Sequence, residues 1–179
     1  MAKGSHYVNN ADFLVAMKEY RVMVLAAKEA GLTKQDKGYP QVTPYIGECL
    51  MKIGTHLSYK ANFINYSYRE DMILDGIQNC LQYIDNFEPE KSSNPFAYFT
   101  QIIYFAFIRR IHKEKKQTYI KHKNFENSFL MNELWSESEN IHLKANEYST
   151  EIIKSYEEKN NLTKASKNSK MVGVEKFSG

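Results

Sequence analysis

The chain has almost no tryptophan, one residue in 179, and only two cysteines. Cys49 and Cys80 stand singly in apolar helical patterns. Neither has the spacing of a metal or redox pair, so each reads as a buried thiol. No apolar run approaches 18 residues, and the opening MAKGSHYVNN lacks the apolar stretch of a secretory leader, so a soluble, intracellular protein without a membrane partner is expected. Strand-like alternation persists nowhere and no segment repeats. The fold class is therefore expected to be all-α.

The chemistry of a catalytic centre is missing too. The five histidines (His6, His56, His112, His122 and His142) are scattered, none in an HExxH pattern, and there is no glycine-rich phosphate loop and no G-x-S-x-G. Asp71 and Asp75 share a helix face at i,i+4 spacing and could in principle hold a divalent ion. Two carboxylates suit a solvated or partner-binding acidic face better. The expectation is a protein that is not an enzyme and uses no cofactor or metal.

What is present is a folded domain's worth of apolar residues, 42% of the chain, with 13 tyrosines and 10 phenylalanines. The net charge of +3 says little, but its distribution is segmented. Residues 109–123 carry seven Lys/Arg against Glu114 alone, residues 124–158 carry eight Glu against two Lys, and residues 159–179 turn basic again. Blocks of this kind suit separate tasks for separate segments.

Helical periodicity organises the first two thirds. Asn9 or Asn10 can cap a first helix with Phe13, Leu14, Met17, Tyr20, Val24 and Ala27 on one face and Gly31 as its stop. Residues 31–43 read as a loop. Pro44 suits the first turn of a second helix that presents Ile46, Cys49, Leu50, Ile53 and Leu57. Residues 61–67 read as a turn, and a third helix from near Tyr68 is expected to bury Met72, Ile73, Ile77, Cys80, Leu81 and Ile84. Pro89 and Pro95 interrupt it, and Pro95 can open a fourth helix. Beyond residue 124 the pattern weakens, although FENSFLMNELW and IHLKANEYSTEIIKSYEEK can be helical. The last segment, rich in Ser, Asn and Lys, reads as a disordered tail.

The fourth helix raises the functional question. In NPFAYFTQIIYFAFIRRIHKEKKQTYIKHK, five aromatics (Phe96, Tyr98, Phe99, Tyr104 and Phe105) fall within ten residues, and a dense basic run follows. A core helix with a solvated end explains this, and Phe99, Ile102, Ile103, Ala106 and Phe107 read as core. A surface that stacks on exposed bases and neutralises phosphates also explains it.

Residues 69–116 together resemble the second conserved region of bacterial sigma factors. That region has an acidic-apolar helix with a glycine, a D-x-F turn, and an aromatic helix that ends in basic residues. The chain shows Asp71-Met-Ile-Leu-Asp75-Gly76, then Asp85-Asn-Phe87, then Ala97-Tyr98-Phe99-Thr100. With YVNN near the start and the short length, it is most similar to the late-gene sigma factors of T-even-type bacteriophages. The likeness covers about residues 7–125 and is specific over 69–116. It implies a compact helical bundle at 7–125; beyond it, composition gives an acidic, partly helical extension at 126–158 and a flexible tail at 159–179.

The resemblance further implies a dissociable promoter-specificity subunit in the cytoplasm of an infected bacterium, with host core RNA polymerase and an A/T-rich late-promoter box as partners. Asp71, Leu74, Asp75, Ile77, Gln78 and Leu81 fall at polymerase-docking positions, and Ile77 equally suits internal packing. Tyr98 falls at the tyrosine that stacks on a flipped adenine. Thr100, Gln101, Tyr104 and Phe105 lie near enough to meet bases or backbone, and Arg109, Arg110, Lys113, Lys115 and Lys116 can neutralise phosphates. The family's paired tryptophans are replaced here by Gln101 and Ile102. No helix-turn-helix follows residue 124, so a single promoter box is expected. Val174 and Phe177, near the C-terminal end of the sequence, form an aliphatic-x-x-aromatic pair able to engage a sliding clamp, and a late-transcription coactivator is a further implied partner. An alternative stays open: a polymerase-binding regulator that makes no base-specific DNA contact.

Overall fold

Asn9 opens the first helix. Its backbone is extended and its side chain accepts the Ala11 N–H, which satisfies one orphan donor of α1 (Asn10–Glu29). The helix ends where Gly31 turns left-handed at φ 76°, a conformation that costs glycine nothing. Thr43 caps α2 (Pro44–Ser58), with Pro44 in the first turn. α3 spans Arg69–Tyr83 and tightens into a 3-10 turn over Ile84–Asn86. α4 spans Pro95–Asn132, and a further helix, α5, covers 147–161. The computed structural model describes residues 8–132 and 147–161. Among these there is no strand, and no helix is long and apolar enough to cross a membrane. The all-α class is thus observed.

The chain divides into two compact units, Met1–Arg110 and Ile111–Gly179. In the first, Phe13, Met17 and Val24 of α1 join Ile46 and Leu50 of α2, Met72 and Cys80 of α3, and Phe99, Ile103 and Phe107 of α4 in a buried core. Ring contacts knit it: Phe13 to Phe99 at 5.6 Å, Phe63 edge-on to Phe107 at 5.2 Å, and Phe87 to Phe99 at 6.0 Å. α3 comes very near α4 at Gly76, where a methyl group would sit 2.9 Å from Ile103 Cγ2. Only glycine fits that approach without displacing the facing side chain. The start of α4 is fastened twice. Asn94 Oδ1 accepts the Ala97 N–H, and Asn10 reaches across from α1 to accept the Phe96 N–H and donate to the Ser93 carbonyl.

Asp85, in the 3-10 turn, is 7% exposed and is the focus of a buried network. Its carboxylate accepts the hydroxyls of Tyr39 at 2.7 Å and Tyr20 at 3.2 Å and pairs with Lys34 Nζ at 3.1 Å. Lys34 also donates to the carbonyls of Leu81 and Gln82, so it caps the end of α3. Burial pushes the Asp85 pKa up, but the donors from Tyr39, Lys34 and Tyr20 outweigh it and hold the carboxyl below its ordinary value. Burial, then the bond to Asp85, pushes Tyr39 up to about 12, and Tyr20 is raised by the same causes.

The second unit contains a helical hairpin. Residues 111–132 of α4 run antiparallel to α5. Tyr119 stacks on Tyr156 at 4.5 Å, the Tyr119 hydroxyl donates to Glu157, His122 Nδ1 lies 2.9 Å from the Ser149 hydroxyl, and Thr150 donates to Glu126. Glu126 also pairs with Lys123. Ile153 of α5 is buried, and Leu134, Ile141 and Leu143 lie outside the described residues.

Candidate nucleic-acid and partner-binding faces

α3 has two faces with opposite fates. Met72, Gly76 and Cys80 are buried at i,i+4 spacing. On the other side Leu74, Gln78 and Leu81 form an exposed stripe, with Leu74 at 61% and Leu81 at 41% exposure. Leu81 was expected in the core and is not there, because one hundred degrees per residue carries it round from Cys80 to the Gln78 side. Ile77 and Ile73 are half-buried at the edges. Asp71 and Asp75 border the stripe. All six sequence-expected docking residues therefore lie on or beside one face of one helix.

The two acids do not stand alone. Arg110 Nη2 lies 3.0 Å from Asp71 Oδ2, and Arg110 Nη1 lies 3.2 Å from Asp75 Oδ2. One turn along, Arg109 Nη2 donates to Asn79 Oδ1 at 2.9 Å, and Asn79 Nδ2 donates to the Asp75 carbonyl at 2.6 Å. The two arginines of α4 that sequence grouped with the phosphate contacts are thus both engaged with α3. Arg109 stays largely exposed, whereas the Arg110 side chain is only 17% exposed.

Over residues 95–110, α4 buries Phe99, Ile103, Ala106 and Phe107 and leaves an opposite face open. Gln101, Phe105 and Arg109 follow one another at i,i+4 on that open face, and Tyr104 flanks them. Phe105 is 50% exposed and Tyr104 38%. Tyr104 packs edge-on against Phe63 and against Phe105. Thr100 lies off this face, with its hydroxyl donated to the Phe96 carbonyl at 2.7 Å. Tyr98 is half-buried: its ring packs on Phe87 at 5.2 Å and on Phe99 at 5.1 Å, and its hydroxyl donates to the Tyr83 carbonyl across a long 3.5 Å. Burial raises its pKa, so the phenol is neutral at physiological pH. The structure therefore divides the aromatics that sequence could not: Phe105 and Tyr104 offer open ring surface, Tyr98 a partly covered ring.

In the second unit Lys113, Lys115, Lys116 and Lys121 are exposed, as a phosphate-contacting segment requires, while Lys123 is tied to Glu126. Val174 and Phe177 lie outside the described residues.

Sequence reasoning missed two features. The role of Asp85 as a buried acceptor depends on Tyr20 and Tyr39, 65 and 46 residues away, and no local pattern signals that. A second exposed apolar stripe runs along α1, with Val15, Val22 and Leu25 solvent-facing. Its signal was present as apolar residues off the main helical stripe.

Among the described residues no group of three or more His, Cys, Asp or Glu is placed to hold a metal ion. Comparison by sequence finds no matching protein-family model and no matching characterised protein.

Proposed function

We propose that the chain is a promoter-specificity factor of the sigma type, serving phage late transcription in the cytoplasm of an infected bacterium. It docks on host core RNA polymerase through α3 and recognises and helps open an A/T-rich late-promoter box through α4. The observation that carries this reading is the division of labour on α4. A helix already able to bury Phe99, Ile103 and Phe107 also leaves Tyr104 and Phe105 in water, beside Gln101 and Arg109. Exposed rings next to a hydrogen-bonding amide and a cation are the chemistry a melted strand needs, since bases offer π-faces and phosphates offer charge. Lys113, Lys115 and Lys116 add phosphate contacts.

The exposed Leu74–Gln78–Leu81 stripe supports the polymerase half. An apolar strip rimmed by acids suits a helical partner with apolar centre and basic edge, where the rim steers and the centre anchors. A sliding clamp engaged by Val174 and Phe177 and a late-transcription coactivator complete the proposed partners.

Tyr98 bears on a second reading. Its ring leans on Phe87 and Phe99 rather than standing free, which favours a polymerase-binding regulator without base-specific contacts. Run-off transcription separates the two. Host core polymerase is supplied with this protein on templates with an intact or scrambled A/T-rich box, and Tyr98→Ala and Phe105→Ala are tested beside wild type. Box-dependent initiation that weakens in these variants supports the specificity factor. Polymerase binding without box dependence supports the regulator, and absence of polymerase binding removes both.

A further inference from the structure

We propose that Arg110 is a positioning residue of the α3 docking face and not a phosphate contact. Its place on α4 is the first argument. Arg110 follows Ile103, Ala106 and Phe107 by seven, four and three residues, all buried, so it emerges on the inward side of the helix. Gln101, Phe105 and Arg109 emerge on the other. A phosphate on the open face of α4 meets Arg109 and does not meet Arg110.

The second argument is what Arg110 holds. Asp71 and Asp75 are one turn apart on α3, and like charges at that spacing repel. The guanidinium straddles the turn with one nitrogen on each carboxylate, at 3.0 and 3.2 Å. A planar fork does this and an ammonium does not, because its donors diverge from a single point. The close approach at Gly76 brings α4 near enough for the reach. Asp71 meets Arg110 through Oδ2 and its side chain remains more than half exposed. That exposed carboxylate stays within reach of a cation of the docking partner. Arg110 thus fixes the rim of the Leu74–Gln78–Leu81 stripe before the partner arrives, and a rim already fixed loses less side-chain entropy on binding.

This inference rests on the polymerase-docking reading of α3. The test compares full-length wild type, Arg110→Gln, Arg110→Lys and Lys113→Gln in three measurements: affinity for core polymerase, the slope of log K against log salt for duplex DNA of arbitrary sequence, and thermal unfolding. Arg110→Gln is expected to weaken polymerase binding about 3- to 10-fold, as for one or two side chains released from a fixed geometry, and to leave the salt slope unchanged. Arg110→Lys keeps the charge without the fork and falls between; it also serves if Arg110→Gln does not fold. Lys113→Gln is expected to do the reverse, flattening the slope by about 0.9 with polymerase affinity intact. The inference is overturned if Arg110→Gln flattens the slope as Lys113→Gln does, or if polymerase affinity is unchanged in a folded Arg110→Gln. Wild type that binds no polymerase overturns the docking reading itself, and this role with it. Wild type that binds while Arg110→Gln binds equally overturns only the role of Arg110.

Discussion

Replacing Asp85 by alanine removes one acceptor from three donors, and the structure allows the cost to be worked donor by donor. Tyr39 and Tyr20 are buried, so their hydroxyls have no ready substitute. An unpaired buried hydroxyl costs about 1–3 kcal/mol. Lys34 is 44% exposed, water replaces its partner, and that half of the network contributes no more than about 1 kcal/mol. The sum is about 2–7 kcal/mol, a large share of the ~5–15 kcal/mol that stabilises a whole domain. At about 4–8 °C per kcal/mol for a domain near this size, even the lower end of that sum should drop the midpoint by roughly 8–16 °C. Urea unfolding followed by far-ultraviolet circular dichroism is the assay, with a lower midpoint at an unchanged slope as the signature of lost stability. A loss under about 1 kcal/mol would refute the reasoning, because the tyrosines would then have found other partners at no cost. The pH dependence provides an independent check. The folded-state pKa of Asp85 is depressed, so its contribution is present above the unfolded carboxyl pKa and is lost as pH falls through the folded one. Wild-type stability should therefore decline below about pH 4, and Asp85→Asn should lose that part of the decline.

The opposite limb of the pH profile involves the tyrosines. Tyr39 ionises near 12 in the folded chain, so the stability it contributes is complete below about pH 10 and is lost between there and about 12; an absorbance titration of Tyr39→Phe against wild type measures it. Gly76→Ala gains up to about 1 kcal/mol of helix propensity, yet its methyl meets Ile103 Cγ2 at 2.9 Å and overpacking costs about 1–3 kcal/mol, so denaturant melts should show net destabilisation. Cys80 is fully buried, and burial pushes its thiol up to about 12; Cys49 is raised for the same reason. Neither should react with a thiol reagent in the native protein at pH 8, and both should react in denaturant. Phe105→Ala should weaken single-strand DNA binding by about 1–3 kcal/mol with no change in thermal midpoint, read by fluorescence anisotropy.

Periodicity carried much of the fold. Phe13, Met17, Tyr20, Val24 and Ala27 are buried as their spacing on α1 predicts, with Leu14 half-buried at the edge, and Ile46, Cys49, Leu50, Ile53 and Leu57 are buried on α2. The punctuation was equally local: the Asn9 cap, the left-handed Gly31 and the proline openings at Pro44 and Pro95. What was not legible lies between helices. A helix pattern reports that Leu81 and Cys80 are both apolar but not which one faces α4. It reports that Arg109 and Arg110 are adjacent cations but not that Arg110 is turned inward onto two carboxylates. The full length of α4 was not legible because FENSFLMNELW reads as a possible helix with nothing local to join it to the fourth one, yet α4 runs unbroken to Asn132, and from residue 119 onward some of its residues pack on α5.

The fastening of Asn10 to Phe96 and Ser93 imposes a schedule on the nascent chain. Its partners are 86 and 83 residues downstream. At translation rates of about 5–20 residues per second, the first helix waits roughly 4–17 s for the strap that closes it. Throughout that interval Phe13 lacks the ring of Phe99, and the part of α1 that α4 later covers stays open to solvent. The N-terminal helix is therefore where a chaperone should bind the growing polypeptide, and synthesis past residue 107, once Phe107 can meet Phe63, should release it.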